Sequence, residues 1–217
     1  MLYIVATPIG NLKDLSYRAT EVLKSVDLIA CEDTRHTQIL LAHHGISTPT
    51  TSFFQRNRFT KGEYLLGLLK GGKNIALVSD AGTPGILDPG YNLINLAIKN
   101  KLKMTFIPGA AAFVNALVLS GKPCHKFYFA GFLPSRSGAR RNQLEQFKKI
   151  GCTLVCYESC HRILASLQDI EAIYGDKEIT VARELTKKFE EVLRASPKII
   201  KDKLSKSRPR GEFVIVI

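Results

Sequence analysis

A short apolar segment runs directly into a glycine- and proline-rich loop at residues 75–90, whose sequence is IALVSDAGTPGILDPG. The apolar run predicts a buried strand over Ile75–Ser79. Three Gly and two Pro lie between Gly82 and Gly90, so the following loop is stiff and a ligand can approach its backbone closely. Asp80 begins this loop, and it either accepts hydrogen bonds from a ligand hydroxyl or ammonium group or caps the turn.

The same alternation of short strands and amphipathic helices extends in both directions from this segment. Further strands are predicted at Leu2–Ala6, Leu28–Cys31, Met104–Ile107, Phe127–Ala130, Thr153–Tyr157, Ile179–Ala182 and Phe213–Ile217. Thr60-Lys61-Gly62-Glu63 resembles a capping box and predicts the start of a helix. The pattern predicts an α/β protein with mostly parallel sheets in two domains, 1–119 and 120–217. The boundary is expected at Ser120–His125, where Gly121 and Pro123 interrupt the pattern.

Composition excludes several classes of protein. With 217 residues, 45% of them hydrophobic and 23% charged, the chain is neither disordered nor collagen-like. Five Cys are too few for a disulfide scaffold, and Cys152, Cys156 and Cys160 lack a second ligand pair at zinc spacing, so no metal is expected. The first residues have no basic segment, and Pro8 interrupts their apolar run, so no signal peptide is expected. No apolar run reaches membrane-spanning length, and a cytoplasmic location is therefore expected.

Basic residues outnumber acidic residues by 31 to 19, which gives a net charge of +12. Residues 1–119 contribute 12 basic and 8 acidic residues, and residues 120–217 contribute 19 and 11. An excess of this size predicts a polyanionic partner, most often a nucleic acid, although a basic surface can also serve solubility alone. The predicted phosphate contacts are Arg136, Arg140 and Arg141, together with the basic residues between Lys198 and Arg210.

Two further loops are rich in small residues and follow predicted strands. They are Ala6–Asn11 and Ile107–Ala112, and neither matches a dinucleotide-binding or Walker A pattern. Ligands of open α/β sheets bind at the carboxyl ends of the strands, so these loops are candidate binding loops or tight packing contacts. Polar clusters at Tyr157–Arg162 and Arg183–Glu191 are candidates for binding an anionic or polar substrate, or they are surface ion pairs.

A series of short motifs, taken in their order along the chain, resembles the motifs of a known family. The motifs are Val5-Ala6-Thr7-Pro8-Ile9-Gly10-Asn11-Leu12, Cys31-Glu32-Asp33-Thr34-Arg35, Ser79-Asp80-Ala81-Gly82-Thr83-Pro84-Gly85, Pro108-Gly109-Ala110, Gly131-Phe132-Leu133-Pro134, Tyr157-Glu158-Ser159 with His161-Arg162, and Arg183-Glu184-Leu185-Thr186-Lys187. Together they resemble the small-subunit ribosomal RNA methyltransferases of the tetrapyrrole methylase family over almost the whole chain. One departure is Cys160, which stands where that family usually has Pro.

The resemblance implies an S-adenosylmethionine (SAM) enzyme with two α/β domains, a cofactor cleft between them, and a homodimeric assembly. The implied reaction methylates the 2′-hydroxyl of a cytidine in the decoding region of 16S ribosomal RNA. The residues implied to line the cofactor site are Pro8, Asp80, Thr83, Ile86, Ala111 and Phe132.

A ribose hydroxyl is a poor nucleophile, so a nearby general base is expected. Glu184 is the first candidate and His161 the second, whereas Lys187 is a candidate for stabilising the developing alkoxide. Two other functions remain open at this point. One is methylation of a small molecule such as a tetrapyrrole, because fold does not fix substrate, and the other is a non-catalytic RNA-binding assembly factor.

Overall fold

The computed structural model describes residues 1–217, which fall into two units, Met1–Ala111 and Ala112–Ile217. The first unit contains five strands, β1 (Leu2–Val5), β2 (Leu28–Cys31), β3 (Thr50–Ser52), β4 (Ile75–Leu77) and β5 (Met104–Ile107). Its α-helices are α1 (Tyr17–Ser25), α2 (Thr34–His43), α3 (Arg58–Lys70) and α4 (Gly90–Lys99). The strands form one sheet in the order β3-β2-β4-β1-β5, and every neighbouring pair is parallel.

Helices cover both faces of this parallel sheet, which explains why its strands other than the edge strand β3 are mostly apolar. Side chains such as Val5 and Ile29 pack against α1 and α2 on one face. Leu2 and Ile75 belong to a second cluster with α3 and α4 on the other face. Because all five strands run in the same direction, the loops that follow them meet at one edge of the sheet.

Helix α3 begins earlier than the sequence pattern predicts. Asn57 is its N-cap residue, and the backbone N–H of Lys61 donates a hydrogen bond to the Asn57 carbonyl, so Thr60 already lies inside the helix. The Asn57 side chain also accepts a hydrogen bond from the backbone N–H of Phe54, which closes the turn before the helix. The capping-box prediction at Thr60 was therefore wrong.

The second unit contains the strands β6 (Phe127–Phe132), β7 (Thr153–Ser159), β8 (Ile179–Arg183), β9 (Glu191–Ala195) and β10 (Glu212–Val216). Its helices are α5 (Ala112–Ser120), α6 (Ser137–Ile150), α7 (Ile163–Tyr174) and α8 (Pro197–Ser205). The strand order is β6-β7-β10-β8-β9. The core of this unit packs α6, α7 and α8 against the sheet through buried side chains such as Leu144, Leu167 and Ile200.

The α/β class is confirmed, but the second sheet is not mostly parallel. Only β6 and β7 are parallel, whereas β10 is antiparallel to both β7 and β8, and β9 is antiparallel to β8. The connection from β8 to β9 is a short loop, too short for the crossover that parallel strands need. The sequence pattern did not predict β3 or β9, and β9 begins at the last residue of the cluster Arg183–Glu191.

The division between the units differs from the boundary expected at Ser120–His125. It falls between Ala111 and Ala112, at the start of α5. Helix α5 packs on β7, β8 and β10, so it belongs with the second sheet. The sequence break at Gly121 and Pro123 follows the end of this helix, whereas the division between the units lies at its beginning.

Candidate functional site

The loops that follow β1 and β4 are joined directly to each other. Thr7 and Gly82 exchange two backbone hydrogen bonds, of 2.9 Å from the Thr7 N–H and 3.1 Å from the Gly82 N–H. The Thr7 hydroxyl donates a third hydrogen bond, of 3.1 Å, to the carbonyl of Ser79. Pro8 is therefore buried beside the loop that carries Asp80 and Thr83.

The loop after β5 packs against the other two. The Thr83 hydroxyl donates to the Ala110 carbonyl at 3.1 Å. A Cβ atom on Gly109 would lie 2.9 Å from the Cβ of Ala6, so only glycine permits this approach. The structure thus brings five of the predicted cofactor residues onto three connected loops of the first unit. These residues are Pro8, Asp80, Thr83, Ile86 and Ala111.

Asp80 offers a free carboxylate at these loops. One of its oxygens accepts the backbone N–H of Asp33 at 3.0 Å, and the carboxylate forms no ion pair with Lys or Arg. Further along the same loop, the apolar side chains of Ile86 and Leu87 are 40% and 58% exposed. A loop that carries both an anionic group and exposed apolar side chains suits a ligand with a cationic or hydroxyl group and an aromatic ring.

An open cleft of about 850 Å³ lies at the same edge of the first sheet, beyond the ends of β2, β3 and β4. Its lining includes Glu32, Arg56, Asp88 and Tyr91. Burial raises the pKa of the Glu32 carboxyl, and the negative charges of Asp80 and Asp88 raise it further. A carboxyl group with a raised pKa in a cleft is a candidate proton acceptor. The sequence pattern did not select Glu32, although its position directly after an apolar strand was a usable signal.

Two of the predicted catalytic residues, Glu184 and Lys187, form one ion-paired group in the second unit. The Lys187 Nζ lies 2.9 Å from Glu184 Oε1 and 2.8 Å from Glu212 Oε2, and Glu184 Oε1 also accepts the backbone N–H of Glu212 at 3.0 Å. Burial alone would raise the pKa of Glu184, but the hydrogen bonds from Lys187 and Glu212 outweigh it and lower that pKa. For Lys187, burial opposes the charged form, yet the two carboxylates raise its pKa. Glu184 is therefore a weaker base than expected.

The backbone around this pair is unusual. Glu184 and Thr186 have φ values of +50° and +67°, in the left-handed region that non-glycine residues rarely adopt. Such conformations cost free energy and are concentrated at functional sites. His161, the other predicted catalytic residue, lies exposed in the turn after β7 and makes no hydrogen bond to either member of the pair. Phe132, at the end of β6, is 52% exposed, and its role at the cofactor remains a prediction.

The cluster Tyr157–Arg162 contains a buried ion pair. The Glu158 carboxylate lies 2.8 Å from the Arg162 guanidinium and accepts hydrogen bonds from Ser166 and the backbone of Ser159. Glu158 is almost completely buried, so this pair connects β7 to α7. The alternative of a surface ion pair is therefore wrong at this position, and Glu158 is not free to bind a substrate.

The three arginines predicted to contact RNA do not occupy equivalent positions. Arg136 is exposed. The Arg140 side chain is only 3% exposed and is ion-paired with Asp169, and its guanidinium also donates to the carbonyls of Pro134 and Ser135. The prediction for Arg140 was therefore wrong, because a buried guanidinium with these partners cannot reach a phosphate. Arg141 is also paired with Asp169, but its side chain is 45% exposed.

Near the end of the chain, four basic side chains are exposed and form no ion pair, namely Lys198, Lys206, Arg208 and Arg210. Lys201 and Lys203 are paired with Glu171 and Glu191. No group of three or more His, Cys, Asp or Glu side chains is arranged to hold a metal ion. None of the helices combines the length and the apolar composition that crossing a membrane requires.

Comparison with known proteins identifies the family. Residues 1–198 match the family described as Tetrapyrrole (Corrin/Porphyrin) Methylases. The chain is 45% identical to the Ribosomal RNA small subunit methyltransferase I of Halalkalibacterium halodurans and 46% identical to that of Vibrio cholerae. Each alignment covers 100% of this chain, and the covered shares of the two relatives are 75% and 76%.

Solved structures show the same fold at low sequence identity. A crystal structure of diphthine synthase superimposes with a TM-score of 0.78 at 15% identity, over 100% of this chain and 88% of the other. Uroporphyrin-III C-methyltransferase from Thermus thermophilus, in complex with S-adenosylhomocysteine, gives 0.67 at 16% identity, over 99% and 96% of the two chains. The family match over residues 1–198 and the relatives at about 45% identity confirm the resemblance inferred from the loop motifs, and the chain belongs to the tetrapyrrole methylase family.

Proposed function

We propose that the protein transfers the methyl group of SAM to the 2′-hydroxyl of a cytidine in 16S ribosomal RNA of the small subunit. The observation that carries this proposal is the identity of about 45%, over the whole chain, to relatives named Ribosomal RNA small subunit methyltransferase I. The excess of basic residues supports an RNA substrate over a small molecule.

The residues on the three connected loops fit SAM. The Asp80 carboxylate suits an ammonium or ribose hydroxyl group, the exposed Ile86 suits an adenine ring, and the small residues Gly109 to Ala111 leave backbone groups accessible. Phe132 completes the proposed set of cofactor residues. When bound, SAM supplies a methyl group that its sulfonium has already activated, so the protein mainly has to align donor and acceptor.

The acceptor hydroxyl still has to lose a proton. Because Lys187 lowers the pKa of Glu184, we assign Glu184 a positioning role toward Lys187, whose ammonium stabilises the developing alkoxide. His161 then becomes the first candidate for the general base, since imidazole is the side chain that most often has this role. We further propose that the protein acts in the cytoplasm as a homodimer and contacts RNA phosphates through Arg136 and Arg141.

Nucleoside mass spectrometry of ribosomal RNA from cells with and without the protein tests this function. The expected result is the loss of one 2′-O-methylcytidine from 16S RNA and its return when the wild-type gene is restored. Purified protein is also given labelled SAM together with either small subunits or a tetrapyrrole. Transfer to the tetrapyrrole alone would identify a small-molecule enzyme, and RNA binding without SAM binding would identify an assembly factor.

A further inference from the structure

The second unit has a pocket of about 490 Å³ at the edge of its sheet where β6 and β7 begin, away from the strand ends that carry Phe132 and Ser159. Five basic side chains line this pocket, and no Asp or Glu side chain does. We call it the basic pocket, and its basic residues are Lys122, His125, Lys126, Lys148 and Lys177.

The lysine ammonium groups of the basic pocket lie near one another, and no carboxylate forms an ion pair with them. Lys148 and Lys177 place their Nζ atoms 5.7 Å and 5.4 Å from the centre of the Tyr174 ring. None of the four lysines forms an ion pair with Asp or Glu. Burial lowers the pKa of Lys122, the charge of Lys177 lowers it further, and the Glu178 carboxylate opposes this as the smallest of the three effects. Such a concentration of like charge is unfavourable, and a bound anion would relieve it.

Hydrogen bonds to backbone carbonyls use only part of the donor capacity of these lysines. Lys148 donates to the carbonyl of Ile173 near the end of α7, and Lys122 donates to the carbonyl of Glu178, each at 2.7 Å. Each of these ammonium groups has further N–H donors. Lys126 and Lys177 are exposed, and their ammonium groups donate no hydrogen bond within the protein. At least two cations are thus free to contact a ligand.

We propose that the basic pocket binds a phosphate ester, and that in the working protein this is a backbone phosphate of the RNA substrate. The volume of the pocket lies within the range of small-ligand sites, about 300–1,000 Å³, so it can hold a phosphate with part of its nucleotide. The aromatic side chains of Tyr174 and Phe147 also belong to its lining. The RNA part of this inference rests on the proposed function, whereas the phosphate-binding part does not.

The test compares two double variants with the same change in net charge. Lys126→Gln/Lys177→Gln removes the two free cations of the basic pocket. Lys24→Gln/Lys70→Gln is the control, because both of its lysines are exposed, lie in the last turn of a helix and form no ion pair. Binding of a fluorescent 16S RNA fragment is measured by anisotropy at several salt concentrations, AMP is titrated by calorimetry, and SAM binding is measured for each protein.

The slope of log affinity against log salt is negative. In the pocket variant it should become shallower by about 0.7–0.9 for each phosphate that the protein no longer neutralises. AMP binding should weaken in that variant, whereas the control should keep the wild-type slope and both variants should bind SAM normally. Equal losses in the two variants would overturn the proposal, because net charge alone would then explain them. Weaker AMP binding with an unchanged RNA slope would overturn the assignment to RNA and identify a free nucleotide as the ligand. A reduced slope in a protein that methylates no RNA would support the pocket while refuting the proposed function.

Discussion

Arg140 and Arg141 are neighbours in the sequence, but they have different roles in the second unit. Arg140 is buried against Asp169 and holds the loop after β6 through two backbone carbonyls, whereas Arg141 reaches the same carboxylate from a partly exposed position. Removing one partner of a buried ion pair leaves an uncompensated charge, which costs about 3–5 kcal/mol. We expect Arg140→Ala to lower the free energy of unfolding by about that amount and Arg141→Ala by clearly less, as measured by urea denaturation. Equal effects of the two substitutions would contradict this difference.

Acid should destabilise the protein partly through Asp169. Burial raises the pKa of this carboxyl, but the hydrogen bonds from Arg141, Ser137 and Arg140 outweigh burial and lower it below the ordinary value. A carboxyl group whose pKa is lower in the folded state stabilises the fold above the unfolded value, about 3.9 for Asp, and this stabilisation is lost as pH falls through the folded value. We expect the urea midpoint of the wild type to fall more steeply below about pH 4 than that of Asp169→Asn. Parallel curves would show that another group controls the acid transition.

Asp80 provides the sharpest test of the cofactor loops. A hydrogen bond to a charged group contributes about 1.5–3 kcal/mol, so Asp80→Ala should weaken SAM binding by about that amount. Asp80→Asn can still accept the Asp33 N–H and removes only the charge, so it separates the structural contact from the ligand contact. Asp14→Ala, at another exposed carboxylate, is the control. Calorimetric affinities that do not change in Asp80→Ala would remove this residue from the site.

The difference between these residues shows which site positions a sequence can reveal. The place of Asp80 at the carboxyl edge of the first sheet was predictable because the residue follows directly after an apolar strand, and open α/β sheets bind ligands at that edge. Arg140 was not, because its partner Asp169 lies on the next helix and nothing local distinguishes a buried arginine from a free one. The raised pKa of Glu32 was not predictable either, because burial is its main cause and the added charges of Asp80 and Asp88 come from a distant loop.

At the level of elements, the positions of most strands were predictable, whereas their directions were only partly so. Apolar runs separated by helix-length segments correctly predicted the strands of the first sheet other than β3, because every parallel connection needs a long crossover. The second sheet could not be predicted in the same way, since β10 inserts between β7 and β8 after a long excursion of the chain. Strand β9 was missed because its residues, Glu191–Ala195, include two charged side chains and none of them is fully buried.

Gly211, just before β10, lies against the side chain of Glu184 in the loop between β8 and β9. A Cβ atom at this position would lie 2.6 Å from the Glu184 side chain, and its φ is +90°. Gly72 has a similar φ of +88° with nothing within 4 Å, so Gly72→Ala isolates the cost of backbone strain, about 1–2 kcal/mol. We expect Gly211→Ala to lose more stability than Gly72→Ala and to lower kcat, because it displaces Glu184 from Lys187. Equal kcat values in the two variants would show that the reaction does not need this ion pair.

Across the whole molecule, positive charge is concentrated in the second half of the sequence, where 19 basic residues face 11 acidic ones. Several of these cations are committed to ion pairs, as Arg140, Lys201 and Lys203 show. The cations left to contact an RNA backbone are the exposed ones that form no ion pair. They include Arg136, Lys126 and Lys177, together with the unpaired cations near the end of the chain. Phosphate contacts fix the position of a protein on RNA, but they carry no direct sequence information.

The protein should therefore prefer an assembled small subunit to free 16S RNA. A protein that depends on phosphate positions and RNA shape gains from a particle that already holds them, whereas free RNA must first be ordered at a cost in affinity. We expect faster transfer of tritiated methyl groups from SAM to purified small subunits than to the same RNA stripped of protein, with the label recovered as 2′-O-methylcytidine after nucleoside digestion. Small subunits purified from cells that contain the enzyme are given the same treatment as a control, because their target is already methylated. Equal rates on both substrates would refute the preference for the particle, and label on a base atom would refute the proposed reaction itself.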